Sequence, residues 1–110
     1  MALRLGDIVL IEVRFHQADA SKVRPAAVVL DTGDDDFVAA PITSRPGVAE
    51  FDMALRDWRS AGLNVASTMR LHKVAVLSKA NIRRTVGRLA ASDLASVQAK
   101  LCRAFCADRV

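Results

Sequence analysis

The sequence predicts a mainly β fold, a small barrel of short strands with helical additions and one C-terminal helix. Three observations carry that expectation. At least five segments rich in β-branched or alternating apolar residues follow one another between Gly6 and Leu89. Compact turn signals separate them, among them DTGDDD and Pro46-Gly47. Only after Ser92 does the apolar spacing change to the period of a helix. Closing the strands into a barrel protects the many edges that such a chain exposes.

Gly6–Phe15 (GDIVLIEVRF) is the first strand. Ile8, Leu10 and Glu12 lie on one face and Val9, Ile11 and Val13 on the other, so both faces are largely buried. His16–Val23 reads as a polar connection. Arg24 begins the second strand, RPAAVVLD, with Pro25 near its start, where a missing N–H costs least. Pro25 also biases Arg24 to an extended backbone. Asp31–Asp36 is a solvated turn, Phe37–Thr43 (FVAAPIT) the third strand and Ser44–Val48 a loop.

Glu50–Leu55 alternates, with Phe51, Met53 and Leu55 inward and a polar outer face. Arg56–Leu63 predicts one or two helical turns ended by Gly62. Ser67–Leu77 returns to strand character, with Met69 and Leu71, and after them Val74 and Val76, as the core candidates, and Ile82–Leu89 is a further short, basic extended segment. The closing helix is expected to be capped by Ser92, with Leu94, Val97, Leu101 and Ala104/Phe105 on one face. Phe15, Phe37, Phe51 and Trp58 are expected in the core or a dimer contact. Residues 1–110 make one domain, since the chain is too short for two independent cores.

A chain with 52% hydrophobic and 25% charged residues is globular, not disordered. No apolar run reaches the ~18 residues of a membrane span, and no signal-peptide pattern opens the chain. A cytoplasmic protein without a membrane partner is expected. Cys102 and Cys106, with only His16 and His72 beside them, build neither a disulfide framework nor a zinc site, so no metal or cofactor is expected.

Charge is distributed unevenly. Residues 1–52 hold five basic and nine acidic side chains, whereas residues 53–110 hold eleven basic and three acidic. Between Trp58 and Ser92 there is no acid at all. Such a one-sided segment favours a polyanionic partner, nucleic acid first. Arginine outnumbers lysine twelve to four, which suits bidentate phosphate contacts. Base stacking is less well served, because aromatic residues make up 5% and tyrosine is absent.

GDIVLIEV, the SKVRP element leading into AAVVLD, VAAPITSR, FDMALRDWRSAGL and VASTMRLHKVAVL resemble, in that order and spacing, the MazF/PemK family of toxin–antitoxin toxins. The resemblance runs from about Gly6 to Leu101. It implies an SH3-like barrel, a homodimer, an acidic antitoxin partner and metal-independent cleavage of single-stranded RNA. RNA needs no protein nucleophile, because its own 2′-hydroxyl attacks the adjacent phosphorus. The protein has to orient the phosphate, move two protons and offset the charge of the phosphorane.

On that resemblance Arg24, the arginine of the R-P element, is the first catalytic candidate and Thr43 the second, with Ser44 the alternative if the register differs by one. Arg70 matches an arginine that the family uses in cleavage. His72, two residues further, stands where PemK-like members carry an acid, and either replaces it as base or acid or is structural. Two residues apart on a strand, Arg70 and His72 face one side. His16 is a weaker acid–base candidate. His16, Lys22, Ser44, Arg45, Lys73, Lys79, Arg83 and Arg84 are candidate RNA contacts, the Lys79–Arg88 run tracking the RNA backbone or the antitoxin's acids. Selectivity is expected from the loops at 16–23 and 44–50. Two other functions fit the same architecture: a non-catalytic CcdB-like gyrase inhibitor, for which an Arg24–Thr43 pair has no use, and a degenerate nucleic-acid-binding barrel.

Overall fold

Alternating apolar residues build one antiparallel sheet that is rolled around two cores in the computed structural model, which describes residues 2–15 and 20–106. Its strands are β1 (Asp7–Phe15), β2 (Ala20–Asp31), β3 (Asp36–Thr43), β4 (Asp52–Ala54), β5 (Thr68–Arg70), β6 (Ala75–Ser78) and β7 (Ile82–Arg88). The order across the sheet is β4-β5-β3-β2-β1-β7, and β6 pairs with the far half of β3. One helix, α1 (Ala91–Phe105), follows. The mainly β fold with a C-terminal helix is as expected.

The period-two pattern divides the interior. Ile8, Ala27, Ala40, Ile42, Met69 and Leu71 belong to one core, which Val97, Leu94 and Leu101 of α1 cover. Val9, Ile11, Ala26, Val28, Phe37 and Ala39 form the other, on the opposite face. Both faces of β1 are therefore buried, as its sequence indicates. Phe51 and Trp58 pack against the first core, and Phe37 is fully enclosed in the second. The side chain of Phe15 lies outside the described residues. Each fully buried Ile, Leu or Phe contributes about 1.5–3 kcal/mol.

No ladder joins β4 to β7 among the described residues, so the roll is closed by packing. Ala61-Gly62 and Val86-Gly87 meet backbone to backbone. A Cβ at Gly62 would lie 2.4 Å from the Val86 carbonyl oxygen, and one at Gly87 would lie 2.2 Å from that of Ala61. Only glycine allows two chains this close.

Several local expectations are corrected. Ala20–Val23 is not connection but the outer part of β2, so Arg24 and Pro25 sit mid-strand and not at its start. A long hairpin arm pairs Ala20 with Phe15 and Val23 with Glu12, and that pairing, invisible in a polar segment, supports the strand. Residues 56–63 form hydrogen-bonded turns instead of helix. Asp93, 1% exposed, accepts the N–H groups of Arg56 (3.0 Å) and Asp57 (2.9 Å) and ties this segment to α1. The helix begins two residues earlier than a Ser92 cap requires: Ala90 is the cap, without a side-chain bond, and Ser92 lies inside. Asp93 instead puts its charge in the first turn, where the helix dipole favours it. Ser67–Leu77 is interrupted by a 3-10 turn at Leu71–Lys73, whose first residue, Leu71, is fully buried. Val74 packs against the first core, but Val76, expected in the core, is exposed, and Phe105 is 63% exposed at the end of the helical face.

Candidate active site

The β2–β3 ladder sets Ala27 opposite Ala40 and Ala26 opposite Pro41, then stops. The same register continued two residues puts Arg24 opposite Thr43. Pro25 is the first residue beyond the ladder, where an N–H is not required for β3 pairing. Beyond this point β3 turns to β5, with Thr43 opposite Thr68, while β2 stays with β1, with Arg24 opposite Ile11. The two strands part, and clefts lie along the parting.

One cleft, about 510 Å³, is walled by Leu10, Pro25 and Ile42 and rimmed by Ser44, Arg45, Asn64, Ser67 and Arg84. The other, about 430 Å³, is lined by Val13, Ala39 and Leu77 and carries Arg70 and Lys73. Arg24, Pro25, Ile42 and Thr43 line both. Arg24 and Thr43 thus form a wall shared by two clefts, each supplied with cations by other elements. The Thr43 hydroxyl accepts the Arg45 N–H at 3.2 Å, which occupies a lone pair and leaves its O–H free to donate. Arginine at such a wall presents several N–H groups to a phosphate.

Behind the second cleft, Asp52 of β4 stands opposite Arg70 of β5. Its side chain is 3% exposed. Oδ1 accepts the Arg70 Nε–H at 3.0 Å and lies 3.8 Å from His72 Nδ1, while Oδ2 accepts the Ala49 N–H at 3.1 Å. Burial works to raise the Asp52 pKa. The Ala49 N–H, the Arg70 guanidinium and the His72 ring outweigh it and hold the carboxyl below the usual range.

A sequence model of the PemK-like, MazF-like toxins of type II toxin–antitoxin systems matches residues 4–105. The chain belongs to this family. Solved structures agree on the fold. Toxin MazF-mt6 of Mycobacterium tuberculosis is 19% identical, with a TM-score of 0.73, over 94% of this chain and 99% of the other. An endoribonuclease of a mycobacterial species, solved with its cognate antitoxin, has a TM-score of 0.78 at 14% identity, over 99% and 100%. MazF in a MazE–MazF structure (Form-III) from Deinococcus radiodurans has a TM-score of 0.75 at 22% identity, over 94% and 96%. Among curated proteins no sequence relative is found.

In this toxin the expected residues divide into three groups. Arg24, Thr43, Ser44, Arg45, Arg70, Lys73 and Arg84 come together around the two clefts. Lys22, His72, Lys79 and Arg83 line neither. His16 lies outside the described residues. His72 does not share a strand face with Arg70: it sits on the 3-10 turn, where successive side chains rotate by about 120° instead of 180°. The two still converge, on the carboxylate of Asp52. Lys79 donates to Asp31 at 2.8 Å and to the Asp34 carbonyl at 2.8 Å, which binds it to the β2–β3 turn. Arg83 is paired with Glu12 across β1 and β7.

Asp52, the carboxylate behind the second cleft, is not among the residues the sequence singles out. Alternation with Phe51 and Met53 marks it only as an outer-face residue; its partners come from β5 and from the loop that folds over it. Asn64 and Val65, on the wall of the first cleft, were equally hidden, inside a segment without periodicity. Among the described residues no three His, Cys, Asp or Glu side chains cluster as metal ligands. Among the described residues no helix is long and apolar enough to cross a membrane.

Proposed function

We propose that this toxin is a sequence-selective endoribonuclease that cuts single-stranded RNA without a metal ion, acting as a homodimer in the cytoplasm and silenced by an acidic antitoxin. The whole chain is read as one toxin domain. The observation that carries the reading is the Arg24–Thr43 pair on the wall shared by two cation-lined clefts. A strand of RNA crossing that wall would place one phosphate against both side chains, with flanking phosphates toward Arg84 and Arg45 on one side and Arg70 and Lys73 on the other. Three further findings support it: membership of the toxin family, and a mycobacterial structural neighbour described as an endoribonuclease bound to its antitoxin. A Deinococcus neighbour is likewise described with its MazE partner.

The chemistry follows from the substrate. The 2′-oxygen attacks phosphorus and loses its proton, the bond to the 5′-oxygen breaks, and that oxygen gains a proton. Arg24 holds two phosphate oxygens and offsets the charge that builds on them, and the Thr43 hydroxyl donates to one of these oxygens. Arg70 adds positive charge from the second cleft. The products are a 2′,3′-cyclic phosphate and a 5′-hydroxyl. The antitoxin's acids would compete for the same cations, so antitoxin and RNA exclude each other and both bindings weaken as salt rises.

The test is incubation of the purified protein with RNA in EDTA. Cleavage with a 2′,3′-cyclic phosphate end is expected, and an oligonucleotide with deoxyribose at the scissile position should bind and stay intact. Cleavage only with added divalent metal, or none, overturns the reading.

A further inference from the structure

We infer that Asp52 is the positioning residue of the site, a buried carboxylate that sets the Arg70 guanidinium and the loop following Thr43 in one fixed relation. The inference rests on the endoribonuclease reading for its catalytic consequence, but the contact itself can be read without it.

Asp52 is held from both sides. Its Oδ2 accepts the Ala49 N–H, and its own N–H donates to the Ala49 carbonyl at 3.1 Å, which folds the loop back on β4. Gly47 lies against it so closely that a Cβ there would come within 2.4 Å of the Asp52 Cβ and 2.8 Å of Oδ2. The loop thus covers the carboxylate, and its first residues, Ser44 and Arg45, rim the first cleft. The other oxygen takes the side-on Nε–H of Arg70, whose remaining guanidinium N–H groups are free to face the second cleft. One aspartate therefore connects a rim of each cleft.

The arrangement also accounts for the departure at His72. The strand that carries Arg70 has no acid two residues on. Here the carboxylate that partners Arg70 arrives from the neighbouring strand, at the directly opposite register position. An arginine with one N–H bonded to a buried carboxylate loses much of its rotational freedom, and a guanidinium that does not have to be reoriented stabilises a transition state more effectively.

Two measurements on the full-length protein test this. The first observes the Arg70 Nε–H by 1H–15N NMR. It should be a discrete, slowly exchanging signal in the wild type and should lose its protection in Asp52→Asn. An unchanged signal overturns the proposal whatever the enzyme does. The second is a double-mutant cycle on RNA cleavage. Asp52→Asn should lower kcat about ten- to a hundredfold with KM within about threefold, the usual consequence of a misplaced catalytic group. In an Arg70→Ala background it should change kcat less than about twofold. Additive losses, or a loss confined to KM, overturn the proposal. If Asp52→Asn does not fold, Arg70→Lys reads the contact from the other side. An ammonium keeps the charge without the side-on Nε geometry, so a kcat loss of at least about tenfold is expected and a wild-type rate overturns the proposal. Wild-type protein that cuts no RNA, with the NMR signature intact, refutes the endoribonuclease reading and the catalytic role while leaving the contact established.

Discussion

Arg24 and Thr43 lie two residues beyond the end of the β2–β3 ladder, on different strands and on the wall common to both clefts. Their backbones are held by β1 and β5 respectively, so the pair does not depend on a mobile loop for its geometry. Arg24→Ala should therefore leave fold and dimer intact and slow RNA cleavage by roughly 10²–10³-fold, the usual cost of one pre-organised group facing a developing oxyanion. Arg24→Lys should recover only part of the rate, since the ammonium lacks the bidentate fork. Thr43→Ser should be mild and Thr43→Ala intermediate. Single-turnover cleavage of a labelled oligonucleotide measures all four, and a wild-type rate for Arg24→Ala would refute the site.

His72 lines neither cleft and faces the Asp52 carboxylate from a 3-10 turn. His72→Ala should consequently cleave within about threefold of wild type, with an unchanged pH profile. A large loss with a shifted acid or basic limb would make it the proton-transfer group instead.

Asp93 is the buried tie between α1 and the turns at 56–63. Asp93→Ala leaves the Arg56 and Asp57 N–H groups without their acceptor, and about 1–3 kcal/mol for each orphaned group is expected. Asp93→Asn retains one oxygen and should cost less. Urea unfolding of the two variants gives the difference; equal losses would mean that the helix dipole, not the two bonds, is what Asp93 supplies.

The Gly62–Gly87 contact closes the roll, so a methyl at either position must push two backbones apart. Gly87→Ala should destabilise by on the order of 1–3 kcal/mol through overpacking. Gly62→Ala should cost about 1–2 kcal/mol more, because its φ of +90° is in the left-handed region. The urea midpoints should fall in that order.

Acid should unfold the protein through its paired carboxylates. Lys79, with the N–H groups of Leu3 and Gly33, holds the Asp31 carboxyl far below its ordinary value, and Asp52 is also lowered. A group whose pKa is depressed in the native state adds stability that is complete above its unfolded value, about 3.9 for aspartate, and disappears as pH falls through the native one. The unfolding free energy should be flat from pH 7 to about 5 with respect to these groups and decline below about 4. Asp31→Asn should lower stability at pH 7 and make the acid decline shallower. An unchanged acid slope would show that the Lys79 pair adds nothing.

Much of the fold was legible because burial leaves a local trace. IVLIEV, AAVV and FVAAPI alternate or run apolar where both faces of a strand are covered, and Leu94, Val97 and Leu101 recur at the helical period where one face is covered. Segments that lack such a trace were misread. RDWRSAGL has helical composition but is held as turns by Asp93 from far along the chain, and ASKV is polar yet paired with β1.

By itself the sequence determined the mainly β character, the two-faced burial of β1, the closing helix, the basic second half and, through its motifs, Arg24, Thr43 and Arg70 as the residues of interest. These follow from periodicity, composition and short patterns, all of which are properties of neighbouring residues. Only the tertiary structure decided that Arg24 and Thr43 line the same two clefts, that Lys79 and Arg83 are taken up by Asp31 and Glu12, and that the acid beside Arg70 is Asp52. Those relations join strands far apart in the chain. They depend on register, on the 3-10 turn at Leu71–Lys73 and on two glycines that let backbones touch, and none of these is set by a residue together with its sequence neighbours.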